Sequence, residues 1–194
     1  IFVIKQHNDG VRTGGHSVAD GVTILAIADL TNKGADTMFN VAINGYGRIG
    51  RNVLRAFYER PELNGKIQVV AINDLGAAEM NVHLTQFDTT HGRFNQPVTL
   101  DEDHLIIGSD RIRMLSERDP KQLPWEQLSV DIVFECTGLF TDREAARRHI
   151  AAGAKRVLVS APGQHMDATV VYGINHTKLT EVDVIVSNAS CTTN

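Results

Sequence analysis

Cysteine is scarce in this sequence, and its scarcity excludes one class of fold. The chain has two cysteines, Cys136 and Cys191. Two thiols cannot build the disulfide framework that stabilises small secreted domains, so we expect a reducing, cytoplasmic location. No pair of His or Cys residues has the spacing of metal ligands, so we expect no metal site.

The sequence also lacks a basic run and a long apolar run. Its formal net charge is −4, and no segment gathers the Lys and Arg residues typical of nucleic-acid binding. No apolar stretch approaches the roughly 20 residues that span a bilayer. The nearest, residues 22–28, would serve at most as a signal-peptide core, but Asp20 and Asp29 flank it and no clear cleavage site follows. Nucleic-acid and membrane partners are therefore not expected.

The composition is that of a globular chain with an atypical first segment. The 194 residues are 42% apolar and 22% charged, which suits one domain of ordinary size. Residues 1–37 are rich in Gly, Thr, Asn, Asp and His and carry no chemistry-bearing pattern. We interpret them as a tail, or as translated sequence upstream of Met38, with a genuine extra segment as the alternative. Because the chain starts with Ile1 and stops at Asn194, we expect it to be incomplete.

Strand and helix patterns alternate after Met38. Residues 41–43 form a short apolar run, and residues 48–60 have apolar positions at helical spacing until Pro61. Residues 67–72 form a second apolar, β-branched run, typical of a parallel strand covered on both faces.

The rest of the chain continues this alternation. Thr141 and Glu144 have the spacing of a capping box, which predicts the start of a helix that ends near Gly153. The remaining predicted elements are a helix over 77–86, a loop over 87–96, short strands near Val98, Leu105 and Ile112, and strands over 131–135, 156–159, 170–171 and 184–186. The pattern predicts an α/β fold with a doubly wound, mostly parallel sheet of the Rossmann type.

A glycine-rich turn joins the first strand to the first helix. Gly45, Gly47 and Gly50 fit the pattern GxGxxG. Gly45 permits the tight turn, Gly47 lets the backbone approach a pyrophosphate, and Gly50 lets the helix lie against the strand. Free N–H groups at the helix start then point at the phosphates. The strand before the turn and the helix after it favour a dinucleotide site over a chance cluster of glycines.

An acidic residue follows the second strand at a suitable spacing. Asp74 lies 24 residues after Gly50, directly behind residues 69–73 (VVAIN). A carboxylate there accepts hydrogen bonds from free ribose hydroxyls and repels a 2′-phosphate, so the sequence predicts NAD rather than NADP. An ordinary solvated Asp beside a turn is the alternative.

The two cysteines lie in different surroundings. Cys191 follows a buried strand within small polar residues, and a helix starting there would lower its thiol pKa and favour the nucleophilic thiolate. Cys136 follows the apolar residues 133–134 and is interpreted as a core residue.

Several segments, in order, resemble the glyceraldehyde-3-phosphate dehydrogenase family. Residues 44–51 (NGYGRIGR) resemble its glycine turn, and residues 187–194 (SNASCTTN) resemble its active-site signature. Between them lie ND at 73–74, DTTHGRF at 88–94, ERDP at 117–120, CTG at 136–138, GAK at 153–155 and SAP at 160–162. The resemblance covers residues 39–194 and not residues 1–37. It implies an NAD-binding domain over 38–187 and the start of a catalytic domain over 188–194.

The resemblance also implies roles for individual residues. Backbone groups of Arg48 and Ile49 would contact the pyrophosphate, and Asp74 would hold the adenosine ribose. Further cofactor contacts are expected from Arg118 at the adenine and from Thr137, Gly138 and Ser160 along the groove. Cys191 would be the nucleophile, with Ser190 and Thr192 beside the substrate.

The implied reaction is a glycolytic oxidation of a small phosphorylated aldehyde. The Cys191 thiolate attacks the aldehyde, a hydride passes to NAD, and inorganic phosphate releases an acyl phosphate from the resulting thioester. The family's histidine base belongs to a second domain, and none of the eight histidines here matches it. We therefore expect this polypeptide to bind cofactor weakly and to turn over poorly or not at all. The family resemblance also suggests a homotetramer for the full-length protein.

Two alternatives remain open. Erythrose-4-phosphate dehydrogenase is a sister enzyme with the same cofactor and cysteine, in which water releases the acid. Residues 88–91 and 162–163 slightly favour this enzyme, whereas residues 160–162 favour glyceraldehyde-3-phosphate dehydrogenase. A non-catalytic NAD-binding fragment is the second alternative, and it predicts an unreactive Cys191.

Overall fold

A mostly parallel sheet forms the centre of the molecule. The structure is a computed structural model that describes residues 38–171 and 174–188. Predictions about residues 1–37 and 189–194, including Cys191, Ser190 and Thr192, lie outside the described residues.

The main sheet has nine strands among these residues, in the order β10-β11-β9-β8-β1-β2-β7-β6-β5. Its strands are β1 (Phe39–Asn44), β2 (Ile67–Asn73), β5 (Val98–Asp101), β6 (His104–Ile107), β7 (Asp110–Leu115), β8 (Ile132–Glu135), β9 (Arg156–Val159), β10 (Ala168–Thr169) and β11 (Ile185–Ser187). Strands β5, β6 and β7 pair antiparallel at one edge, while the other pairs are parallel. Together with the helices, this order confirms the predicted α/β fold of the Rossmann type.

The helices lie close to their predicted positions. Helix α1 spans Arg48–Tyr58, α2 spans Ala78–Gln86 and α3 spans Arg143–Ala151. Short 3-10 turns cover Pro61–Leu63, Pro120–Gln122 and His176–Lys178. No helix in the described ranges is long and apolar enough to cross a membrane.

Three local predictions need correction. The side chain that caps α3 belongs to Asp142, which accepts from the Glu144 backbone N–H at 2.9 Å, and not to Thr141. The predicted loop 87–96 contains a small hairpin of β3 (Phe87–Asp88) and β4 (Gly92–Arg93). The strand expected at residues 170–171 lies at β10, two residues earlier. Each error concerns an element of two residues or a single terminal residue, where periodicity carries little information.

The central strands are buried on both faces, as continuous apolar runs require. In β1, Val41, Ala42 and Ile43 have no exposed surface, and their neighbours on β2 and β8 are also buried. Helix α1 adds Val53 and Leu54 to the same core. This packing fixes the position at which β1, β2 and β8 end, and those ends carry the candidate site.

Candidate functional site

A cleft opens at the carboxyl ends of β1, β2 and β8. Its volume is about 410 Å³. Four chain segments line it: residues 44–47, residues 73–76, residues 117–118 and residues 136–140. Ligands of open parallel α/β sheets bind at this edge, where connections leave the sheet in opposite directions. The sequence-predicted residues Gly45, Gly47, Asp74, Arg118 and Thr137 all lie in its lining.

The first wall of the cleft is the glycine turn, residues 45–50. Gly45 has a φ of +90°, and a Cβ there would lie 2.7 Å from the backbone N of Thr137. A Cβ on Gly50 would lie 2.2 Å from the carbonyl oxygen of Gly45. A Cβ on Gly47, by contrast, would meet no atom of the described chain within 4 Å. Gly45 and Gly50 are therefore required by the fold, whereas Gly47 leaves space in front of the helix.

The start of α1 supplies backbone N–H groups to this wall. Gly47 is the N-cap residue, and no described side chain caps the helix. The first turn carries no acidic residue, so no side chain in that turn neutralises the positive end of the helix dipole. Arg48 points away, with its guanidinium 3.7 Å from the Asp88 carboxylate. Arg48, Ile49 and Gly50 therefore offer main-chain rather than side-chain groups to an anion.

Asp74 lies beside the glycine turn, just after the end of β2. Its Oδ2 accepts from the Tyr46 backbone N–H and its Oδ1 from the Gly76 backbone N–H, each at 2.8 Å. Asn81 Nδ2 lies 3.5 Å from Oδ1. An ionised carboxylate has about four acceptor positions, so Asp74 retains capacity for a ribose hydroxyl. The carboxylate also tethers the glycine turn to β2, a role that the sequence did not reveal.

The other predicted cofactor residues differ in their placement. Arg118 is exposed at the rim of the cleft, and Gly138 has a φ of +72° in the turn that carries Thr137. Ser160 follows β9, and its hydroxyl donates to the Glu135 carbonyl oxygen at 3.0 Å. It is not part of the lining that the described residues form. Cys136 meets its expectation only in part, because it is half-buried and packs against the core but also lines the cleft.

A mostly buried polar cluster, part of which lines the cleft, was missed by the sequence analysis. It consists of Asn44, Asn73, Trp125, Glu135, Thr137 and His149, and we call it the Glu135 network. The Glu135 side chain ends β8 and has no exposed surface. Asn44 Nδ2 donates to its Oε2 at 2.6 Å, and the Thr137 backbone N–H donates to its Oε1 at 2.8 Å. The Thr137 hydroxyl also donates to Oε1.

His149 completes the donors around Glu135. Trp125 Nε1–H donates to His149 Nδ1 at 3.0 Å, and an indole nitrogen only donates. The ring proton of His149 is therefore on Nε2, which donates to Glu135 Oε2 at 2.9 Å. A polar residue at the end of each of three apolar runs was the available signal, since Asn44, Asn73 and Glu135 all occupy that position.

Burial and hydrogen bonding perturb two groups near the glycine turn. Burial raises the pKa of Tyr46, whose hydroxyl lies 2.8 Å from Thr85 Oγ1, so it stays protonated. For Asp88, desolvation opposes ionisation, but the backbone N–H groups of His91 and Thr90 and the charge of Arg48 lower the pKa. The described residues contain no group of three or more His, Cys, Asp or Glu side chains that could hold a metal ion.

Comparison with known proteins agrees with the geometry. A family profile described as "Glyceraldehyde 3-phosphate dehydrogenase, NAD binding domain" matches residues 39–143. The chromosomal glyceraldehyde-3-phosphate dehydrogenase of Cupriavidus necator is 59% identical over 155 residues, which cover 79% of this chain and 46% of that protein. The glyceraldehyde-3-phosphate dehydrogenase of Xanthobacter flavus is 57% identical over 154 residues, covering 79% of this chain and 45% of that protein. The aligned part of the chain thus spans about half the length of these relatives.

Proposed function

This chain belongs to the glyceraldehyde-3-phosphate dehydrogenase family, and from that membership we propose that it contributes to the NAD-dependent oxidation of glyceraldehyde 3-phosphate to 1,3-bisphosphoglycerate. Residues 38–187 form the NAD-binding domain in this proposal, and residues 188–194 begin the catalytic domain. The full-length protein acts in the cytoplasm, in glycolysis, as a homotetramer.

The observation that carries the proposal is the presence of two different groups in one cleft. Uncapped N–H groups of α1 lie behind the open space at Gly47. The Asp74 carboxylate lines the same cleft and accepts from the Tyr46 backbone N–H of the glycine turn. The first group suits a diphosphate and the second suits a ribose with free hydroxyls. Arg118 at the rim would contact the adenine, and Thr137, Gly138 and Ser160 would extend the groove.

The reaction itself would use Cys191. Its thiolate adds to the aldehyde carbon and forms a C–S bond, and that carbon then loses its hydrogen as hydride. Bound NAD would supply the acceptor for this hydride. The remaining thioester is attacked by inorganic phosphate, which releases the acyl phosphate and returns the thiolate. Ser190 and Thr192 would lie beside the substrate, and the histidine base would come from the family's second domain.

Glyceraldehyde 3-phosphate is favoured over erythrose 4-phosphate by the names of the relatives. Those aligned here are all glyceraldehyde-3-phosphate dehydrogenases. Assaying the full-length protein on both aldehydes, with and without phosphate, separates the two substrates. The 194-residue chain alone is expected to show little or no turnover, as a non-catalytic NAD-binding fragment would.

The cofactor part of the proposal is tested by replacing Asp74. Calorimetric titration of the chain should show tighter binding of NAD than of NADP, and Asp74→Ala should weaken NAD binding about tenfold and reduce that preference. Asp101→Ala is the control, because this exposed carboxylate on β5 pairs only with Arg111 among the contacts described. Unchanged NAD affinity in Asp74→Ala, or equal losses in both variants, would contradict the proposal.

The nucleophile is tested by its reactivity. Iodoacetamide at neutral pH should label Cys191 faster than Cys136, measured by peptide mass spectrometry. NAD should slow the labelling of Cys136, since that thiol lines the cleft. Equally slow labelling of both thiols would favour the non-catalytic alternative.

A further inference from the structure

Glu135 presents an energetic problem for the cleft. A carboxylate without exposed surface loses its hydration, which is costly unless donors replace the water. Here four donors do so: the Thr137 backbone N–H, the Thr137 hydroxyl, Asn44 Nδ2 and His149 Nε2. Its negative charge also lies directly behind Asn44 and Thr137, which line the cleft, and it opposes the binding of an anion there. A carboxylate at this position therefore needs a compensating gain.

Three of the four donors of Glu135 belong to residues that line the cleft. Asn44 precedes the glycine turn and Thr137 carries the 136–138 turn, and both residues line the cleft. One carboxylate thus holds two of the four lining segments, one by each oxygen. The two segments are in contact. A Cβ on Gly45 would lie 2.7 Å from the Thr137 backbone N, so a glycine at this position is what allows the contact.

Asn73 extends the network to the remaining segments. Its Nδ2 donates to Asn44 Oδ1 at 2.7 Å and to the Glu117 carbonyl oxygen at 2.8 Å. Its Oδ1 accepts from the Glu117 backbone N–H at 2.8 Å. The segment that carries Arg118 is therefore bonded to the end of β2, and through Asn44 to Glu135. Side chains of the Glu135 network thus join all four lining segments.

His149 fixes the orientation of Glu135 from behind. Because Trp125 donates to Nδ1, the ring is held with its proton on Nε2, aimed at Glu135 Oε2. Both ring and indole lack exposed surface. Neither residue lines the cleft, so their influence on a ligand would pass through Glu135.

We propose that Glu135 is a positioning residue for NAD, which holds the glycine turn and the 136–138 turn in their binding geometry before the cofactor arrives. Pre-ordered loops bind a ligand more tightly because no further conformational entropy is lost in ordering them when the ligand binds. This inference rests on the cofactor site proposed above.

The test compares two carboxylates at opposite ends of one strand. In Glu135→Gln, an amide N–H₂ replaces one carboxylate oxygen. At either oxygen position it faces an N–H group that only donates, so at least one of the two turns loses its bond to this side chain. NAD affinity should fall about tenfold by calorimetry. Asp131→Asn makes the matching change at a buried carboxylate just before β8, bonded to Lys155 Nζ and to the Asn40 backbone N–H. It should lower the melting temperature while leaving NAD affinity within about twofold.

The outcomes separate this inference from the cofactor site itself. Wild-type affinity in Glu135→Gln, or an equal loss in Asp131→Asn, would overturn the positioning role. No NAD binding by the wild-type chain would contradict the cofactor site, and the inference with it.

If Glu135→Gln does not fold, hydrogen exchange in the wild-type chain gives the answer. The Thr137 and Glu117 amides should be protected before NAD is added. If these two amides exchange as fast as in an unfolded peptide and become protected only after NAD is added, the proposal is overturned.

Discussion

Gly45 and Gly47 are two positions apart and yet need glycine for different reasons. Gly45 has a left-handed φ and touches the Thr137 backbone, so the fold itself requires it. Gly47 has a φ of −69°, which any residue adopts, and open space in place of its Cβ. Sequence analysis assigned Gly45 to a tight turn, in agreement with its φ of +90°, and Gly47 to the approach of a pyrophosphate, which stays a prediction. It could not identify the Thr137 contact, since the partner is about 90 residues away in the chain.

The contact between Gly45 and the Thr137 backbone predicts that substituting Gly45 costs more stability than substituting a glycine without such a contact. Gly45→Ala should lower the free energy of unfolding by about 3 kcal/mol, because backbone strain adds to a steric clash. Gly65→Ala is the control, since Gly65 has a φ of +75° with no described neighbour near its Cβ position, and should cost about 1 kcal/mol. Urea denaturation measures both. Equal losses would show that the Thr137 backbone moves aside without cost.

At the scale of elements, the interiors of the helices and strands could be predicted from the sequence, whereas their ends could not. The apolar runs placed β2, β8 and β9 within a residue, and helical spacing with Pro61 placed α1. For β1 the run gave only the centre, since the strand starts two residues before it. The start of α3 was assigned to Thr141 because it stands three residues before Glu144. In the structure, Asp142 provides the cap, and His165 Nδ1 lies 2.9 Å from its other oxygen. Adjacent Thr and Asp are both good caps, so local sequence alone does not choose between them.

The corrected cap predicts unequal effects of two neighbouring substitutions. Asp142→Ala should lower the melting temperature, because the Glu144 backbone N–H loses its acceptor and the helix start loses a negative charge. Thr141→Ala should change it little, since the Thr141 carbonyl still accepts from Gln164. Thermal unfolding followed by circular dichroism compares them. A larger effect at Thr141 would restore the original assignment.

At the scale of the whole molecule, the sheet topology was predictable and the Glu135 network was not. Repeated strand and helix patterns favour a doubly wound sheet regardless of detail. The network joins Trp125 and His149 to the ends of three strands, and only the folded sheet brings these residues together. Buried polar side chains appear in sequence as interruptions of apolar runs, without a sign of their partners.

Acid stability should depend on Asp167, which joins α3 to β11. Desolvation opposes its ionisation, but the Ile185 N–H, the Arg143 guanidinium and the Val184 N–H lower its pKa below the ordinary 3.8. The unfolded chain then binds a proton more readily in acid, so this contribution is present at neutral pH and is lost as the pH falls below about 4.

Substitution of this residue makes the pH dependence measurable. Asp167→Asn should lower the free energy of unfolding by about 1 kcal/mol at pH 7 and flatten its decline below about pH 4. Urea denaturation at several pH values tests both. An equally steep decline in the variant would assign the acid sensitivity to other carboxylates.

The central claim is that backbone N–H groups at the start of α1 hold the diphosphate of NAD, and Gly47→Ala tests it most directly. The new methyl group would occupy the open space in front of the helix without meeting a described atom. We predict a loss of unfolding free energy below about 1 kcal/mol, together with a fall in NAD affinity of at least about tenfold by calorimetric titration. Undiminished NAD affinity in a folded Gly47→Ala chain would contradict the account.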